Sequence, residues 1–334
     1  LLGGCASSDY PGGGGSGSGG SVGAAGTQAG AGGSAGGPGV GGAGGSSGDG
    51  GAGMTSGAGG GGADGGGAGG GGAGGGGMIG EPDSSMKPSE GCMKPANQEF
   101  GRWVRNTLMS QGSEREYFVF LPQSYNPNPM KPYRLMFSFT GCGSKGDYAP
   151  KLFDAPGADA IVVGPTAADS CFAYTAESTD VLFFDEILKV MNANFCVDQN
   201  RVFTSGMSSG SWFSNVLGCT RTNVLRAQGN IAGCWPDDGR LDPAICQKHN
   251  IAQIAIHDQD DDKNPIACGI VARDRLLALN GCSTETRPIE PSPCVEYQGC
   301  KPGYPVIWCQ TQGQGHSRQE SLTIPAIYNF FAKF

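Results

Sequence analysis

Histidine is nearly absent from this chain: His249, His257 and His316 are the only three in 334 residues. Chemistry that needs an imidazole base therefore has three candidates. No two cysteines stand in C-x-x-C spacing, although there are 13, which excludes the common zinc-ribbon and thioredoxin-type motifs. No apolar run approaches the ~20 residues of a membrane-spanning helix. Basic clusters are lacking too. The net charge is −8; within residues 1–90, six acids against Lys87 give −5, which leaves −3 for the rest. A near-neutral region without basic patches is not expected to bind nucleic acid.

Residues 1–90 also have few large apolar side chains and hold 42 of the 62 glycines. Such a stretch cannot bury enough surface to offset its ordering entropy, so it reads as a disordered linker. A flexible coil of ~80 residues has an end-to-end distance on the order of 50 Å, suited to a tether. Residues 91–334 have ordinary globular composition and suffice for one domain with its own core.

What is abundant is cysteine. Leu1-Leu2-Gly3-Gly4-Cys5 resembles the end of a bacterial lipoprotein signal, in which the Cys is acylated. With Cys5 set aside as a lipidation site, twelve cysteines remain, all between Cys92 and Cys309. An even number suits an exported, oxidised domain with up to six disulfides, whose pairing the sequence does not give. Ala6 in place of an Asp after the acylated Cys implies, by the same resemblance, the outer membrane. The expected protein is thus a cell-surface, lipid-anchored monomer.

From residue 115 onward strand and helix signals alternate. Strands are predicted at Glu116–Pro122, Arg134–Phe139, Ala160–Pro165, Arg201–Ser205, Asn230–Gly233, Ile251–His257 and Pro305–Gln310. Helices are predicted at Thr179–Phe195, capped by Thr179 or Asp180, for about a dozen residues from Ser209, at Ile266–Asn280 before Gly281, and at Ser321–Phe334. This alternation implies an α/β fold with a mostly parallel sheet covered by helices on both faces.

Gly206-Met207-Ser208-Ser209-Gly210 is a G-x-S-x-G motif between a predicted strand and a predicted helix, the context a nucleophile elbow of an α/β-hydrolase requires. Ser208 is the candidate nucleophile. Its glycines keep the tight turn free of collisions, and the helix N-terminus favours developing negative charge. His316, on a loop after the last predicted strand, fits the chain order Ser, acid, His; His249 and His257 do not. The acid is expected in Asp258-Gln259-Asp260-Asp261-Asp262, and spacing alone leaves all four aspartates open. The clustered carboxylates could also suit Ca²⁺, but the twelve-residue calcium-loop pattern is missing, so no metal or cofactor is expected. Ser209 and Cys142, the latter in the loop Thr140-Gly141-Cys142-Gly143, are the expected oxyanion donors through their backbone N–H groups. Trp235 follows a strand at the sheet end where ligands bind, and is the candidate substrate-stacking residue; Trp212 and Trp308 read as core.

In order, TGCG at 140–143, DVLFFDEIL at 180–188, FCVDQNRVFTSGMSSGSW at 195–212, the acidic loop after Ile256, and NGC, YQGC, PVIWC and GQGH near the end resemble one esterase family. It comprises bacterial feruloyl and acetylxylan esterases (carbohydrate esterase family 1) and polyhydroxybutyrate depolymerases, and the resemblance spans about 90–334. The family's acid loop, H-G-x-x-D, laid on His257, implies Asp261 as the acid, with Asp260 second. Its oxyanion loop, H-G-C, falls on Thr140-Gly141-Cys142. Thr140 replaces the family's His, and Asp258 its Gly. The resemblance implies a serine esterase acting on feruloyl or acetyl esters of plant polysaccharide through an acyl-enzyme. A polyhydroxyalkanoate is the next substrate. A reading of another class is a non-catalytic surface protein that binds glycan or peptide on the same fold.

Overall fold

The computed structural model describes residues 85–155, 157–236, 241–246 and 250–334. The tract to residue 84 with Cys5, and His249, lie outside them. In chain order the elements are β1 (Trp103–Ser110), β2 (Ser113–Phe120), β3 (Tyr133–Phe139), β4 (Ala160–Pro165), α1 (Thr179–Asn194), β5 (Val197–Met207) and α2 (Ser209–Thr220). There follow β6 (Ala227–Ile231), the single turn α3 (Pro243–Cys246), β7 (Ala252–Asp258), α4 (Ile266–Asn280), β8 (Thr286–Pro288), β9 (Cys294–Tyr297), β10 (Val306–Thr311) and α5 (Glu320–Phe331).

The strands form one ten-stranded sheet in the order β1-β2-β4-β3-β5-β6-β7-β10-β9-β8. Neighbours from β4 to β10 run parallel. Two antiparallel strands close each edge. The sequence pattern did not give β1, β8 or β9. The strand β1 enters through a hairpin whose turn residues Gln111 and Gly112 both have positive φ (49° and 82°), the twist that short hairpins need. Its residues alternate between half-buried and exposed, so it shows no apolar run.

The central strands are buried on both faces, which is why they read as continuous apolar runs. Successive residues still alternate. Leu135, Phe137, Phe139, Ile161 and Val163 pack in one cluster with Phe184 of α1, Phe213 of α2 and Leu276 of α4. Met136, Ala160 and Val162 pack in the other with Ile327, Phe330 and Phe331 of α5. Fully burying one such Phe contributes about 1.5–3 kcal/mol.

The twelve cysteines form six disulfides: Cys92–Cys196, Cys142–Cys171, Cys219–Cys246, Cys234–Cys268, Cys282–Cys300 and Cys294–Cys309. These are the bonds of a protein that folds in an oxidising compartment. The segment 85–90, assigned above to the linker, is instead docked on β5. Ser89 Oγ donates to Phe195 O at 2.6 Å and accepts from Val197 N at 3.0 Å, and Pro88 bridges to Asp198.

The cap of α1 is Ser178, whose Oγ accepts from Val181 N at 3.3 Å, rather than Thr179 or Asp180. Asp180 turns away to the loop after β4. It accepts from Arg115 at 2.6 Å and from the backbone of Ala168 and Ala173, each at 2.9 Å. Both charges are buried, and the Arg115 guanidinium also lies 4.2 Å from the centre of the Phe183 ring. Removing the carboxylate strands a buried cation. Asp180→Ala should therefore lower the unfolding free energy by about 3–5 kcal/mol, measured by urea denaturation; a loss under about 1 kcal/mol would show that Arg115 finds another partner.

Candidate active site

The strand β5 ends in a turn that no ordinary residue adopts easily. Ser208 sits there at φ 55°, ψ −122°, half-buried between strand and helix. A non-glycine residue so far from the allowed regions costs on the order of 1–3 kcal/mol. The neighbouring glycines make the turn possible. A Cβ on Gly206 would strike the backbone of Gly210, and one on Gly210 would strike that of Phe139. Ser208 N donates to Ile231 O at 3.0 Å, which fixes the turn to the end of β6.

Ser209 is the first residue of α2, so its N–H has no acceptor within the helix. Its buried Oγ accepts from Phe172 N at 2.9 Å. The loop after β3 lies beside the nucleophile turn: a Cβ on Gly141 would sit 3.5 Å from that of Ser208. Cys142 is at the surface, bonded to Cys171. Thr140 closes this loop locally, donating from Oγ1 to Ser144 O at 3.1 Å.

Three residues follow the carboxyl ends of β5, β7 and β10, which run parallel, and so lie at the same end of the sheet. Ser208 follows β5, Asp261 follows β7 and His316 follows β10. Asp261 has no exposed side-chain surface and receives the His316 Nδ1 at 2.8 Å. Its Oδ1 also accepts from Lys263 N at 2.9 Å and Asn264 N at 2.8 Å, an Asx-type turn that fixes the carboxylate. With Nδ1 tied down, Nε2 is the ring nitrogen of His316 left to work.

The other aspartates of the run do different things. Asp262 is exposed and pairs with Lys263 at 3.2 Å. Asp260 is exposed, and its Oδ2 accepts from Gly313 N at 2.9 Å. Asp258 is fully buried and faces four donors: Thr311 Oγ1 at 2.8 Å, Asp260 N at 2.9 Å, Gly315 N at 3.0 Å and Gln314 N at 3.1 Å. Among the described residues no group of three or more His, Cys, Asp or Glu could hold a metal ion.

His257 is also buried. Its Nε2 lies 2.7 Å from Asn264 O and 3.6 Å from Asp261. Burial pushes this imidazole below its ordinary value, against the upward pull of the Asn264 bond and of Asp261. A neutral His257 thus donates to Asn264, and Asn264 in turn donates to Ala232 O at 2.6 Å. Sequence reasoning missed Asn264. The signal was Asn264-Pro265 just before a helix, a turn-forming pair.

Trp235 does not present its ring to a cleft. It is 3% exposed, packed in the core cluster, with the Arg275 guanidinium 5.3 Å from its ring centre. Its burial fits packing rather than substrate stacking. Trp308 is buried as expected, but Trp212 is only half-buried.

A mostly parallel α/β sheet with a serine elbow and a carboxylate-backed histidine at the carboxyl ends of its strands defines the α/β-hydrolase fold. No family model matches the chain. The chain is 32% identical over 274 residues to feruloyl esterase D of Neurospora crassa, which covers 74% of this chain and 91% of that protein. To a probable feruloyl esterase C of Aspergillus niger it is 30% identical over 241 residues, covering 65% and 83%. An acetyl xylan esterase from Aspergillus awamori has the same fold, with a TM-score of 0.54 at 13% identity over 69% of this chain and 99% of that one. A ferulic acid esterase from Anaeromyces mucronatus superposes with a TM-score of 0.50 at 16% identity, covering 74% and 95%. The chain belongs to the feruloyl esterase family and is a carboxylic ester hydrolase.

Asp258 replaces a glycine in the resembling family, yet here it holds the His316 loop. Burial alone would raise its pKa. The bonds from Thr311, Asp260, Gln314 and Gly315 outweigh that and hold the carboxyl below its usual value. The hold is therefore intact at neutral and mildly acidic pH, and is lost as pH falls through the group's own lowered value. Replacing Asp258 with Ala should speed amide hydrogen exchange at Gln314 and Gly315 on the order of 10- to 100-fold, the value of a bond to a charged acceptor. Unchanged exchange would mean the loop is held from elsewhere.

Proposed function

We propose that the protein is an exported serine esterase that cleaves feruloyl or related esters on plant polysaccharide through Ser208, His316 and Asp261. The observation that carries this reading is the His316–Asp261 pair at the same end of the sheet as the strained Ser208 turn. His316 Nε2 takes the Ser208 proton, and Ser208 Oγ attacks the ester carbonyl. The buried Asp261 carboxylate holds the tautomer and stabilises the imidazolium. The backbone N–H groups of Ser209 and Cys142 receive the oxyanion, aided by the N-terminus of α2. His316 then protonates the departing alkoxide. Water, deprotonated by the same imidazole, hydrolyses the acyl-enzyme and restores the serine.

The relatives support this substrate: one is named a feruloyl esterase and another a probable feruloyl esterase, and the alignments cover 74% and 65% of this sequence. The six disulfides support work outside the cell. A lipid on Cys5 would keep the domain near the outer membrane; incorporation of a labelled fatty acid, abolished in Cys5→Ser, is the expected result, and label retained in that variant rules the anchor out.

The catalytic reading is tested with methyl ferulate, acetylated xylan and polyhydroxybutyrate. Methyl ferulate should be cleaved. Ser208→Ala and His316→Ala should each lower kcat on the order of 10⁴-fold or more, and Asp261→Asn almost as much, with Tm little changed. Wild-type protein inactive on all three would remove the enzyme reading. Cleavage of polyhydroxybutyrate in preference to ferulate would move the substrate to polyesters.

A further inference from the structure

We propose that Tyr174 and Trp212 form an aromatic ledge that binds the aryl ring of the acyl group, and so select hydroxycinnamoyl-type esters over acetyl esters. This rests on the esterase reading above. The two rings lie with centroids 5.1 Å apart, tilted by 32°, and both residues are half-buried. Tyr174 packs against the core cluster from its margin. Phe139, Phe172 and Phe213 form a buried group, the last two stacked at 4.8 Å. Tyr174 and Trp212 are their partly exposed neighbours in the chain. Half-buried rings present faces that favour a planar, polarisable partner.

Both residues lie in segments tied to the Ser208 turn and its surroundings. Trp212 lies on the first turn of α2, its N–H donating to Ser208 O at 3.0 Å. It shares a helix face with Ser209, three residues before it. Tyr174 belongs to a segment tied to the oxyanion donors at three points: the Cys142–Cys171 disulfide, Gly143 N to Ser170 O at 2.5 Å, and Phe172 N to Ser209 Oγ at 2.9 Å. An acetyl group ends one carbon beyond the carbonyl, whereas a cinnamoyl ring begins beyond a two-carbon spacer and reaches past the residues that hold the carbonyl.

The test compares methyl ferulate with ethyl acetate, which has no ring on either side, and with an acetylated xylooligosaccharide. Trp212→Ala, Trp212→Leu and Tyr174→Ala should each raise KM for methyl ferulate on the order of tenfold. Their kcat/KM on ethyl acetate should stay within about twofold of wild type, and Trp212→Phe and Tyr174→Phe should restore most of the ferulate affinity. The leucine variant keeps bulk without a ring face, so it separates stacking from packing. Equal loss on both simple esters, or no loss on either, overturns the ledge. A rise in KM confined to the acetylated oligosaccharide would assign the rings to the sugar and also overturn it. If wild type hydrolyses none of these esters, the esterase reading fails by itself. Calorimetry with ferulate then decides the ledge: binding weakened in Trp212→Leu supports it, and binding that is absent or unchanged overturns it.

Discussion

A carboxylate with no exposed side-chain surface must have its lone pairs satisfied by the protein, because water is not there to do it. Asp261 meets that demand with the imidazole of His316 and two backbone N–H groups, those of Lys263 and Asn264. The rest of the candidate site depends on this arrangement. A buried anion beside the ring fixes the tautomer of His316 and turns its second nitrogen outward. Asn264 links the same turn to the end of β6 through Ala232, the residue that follows Ile231, to which Ser208 is bonded. Asp261 and Ser208 are thus tied to adjacent points of one chain segment.

The loop bearing His316 has little secondary structure, and it gains its order from the neighbouring acidic run. Asp258 and Asp260 between them receive the N–H groups of Gly313, Gln314 and Gly315. Gly313 and Gly315 have positive φ (75° and 56°), so the loop bends where glycine permits it and puts its amides toward the carboxylates. A glycine at 258 would leave those donors to water or to other acceptors. The acidic run therefore works as a divided set: Asp261 for His316, Asp258 and Asp260 for the loop that carries it, and Asp262 for an exposed pair with Lys263.

Much of this was legible in the residues. The G-x-S-x-G turn was, because strain and close packing at Gly206 and Gly210 admit few alternatives. The run Ala160–Pro165 and the helix Ile266–Asn280 were, because a buried apolar run and a glycine stop are local signals. The helix ends in Gly281 at φ 67°, as that stop requires. Where the pattern failed, the cause was tertiary. The strand β6 begins at Ala227, not Asn230, because Gln228 looks polar until its partners are known. Gln228 and Asn230 both donate to Asn215 and Gln253, a buried amide network that joins α2, β6 and β7. Polar residues in a central strand are admissible when each finds such partners. Trp235 failed in the opposite sense: its place after a strand matched a ligand site, but its neighbours bury it.

The strained turn at Ser208 raises the question of what holds it. A cost on the order of 1–3 kcal/mol persists only if surrounding contacts over-determine the conformation. Here the turn is bonded on both sides: Ser208 N to Ile231 O, and Ser208 O to the N–H groups of Ser211 and Trp212. The glycines let α2 pack against the end of β3 closely enough for a Cβ on Gly210 to be excluded by Phe139. Ser209 then binds the 170–174 segment, and the Cys142–Cys171 disulfide joins that segment to the loop after β3. Strain at Ser208, the placement of Ser209 and of the loop after β3, and that of the Tyr174–Trp212 pair therefore arise from one packing solution. A side chain added at Gly206 or Gly210 would disturb all three together, whereas a change of the Trp212 side chain leaves the backbone bonds of the turn in place.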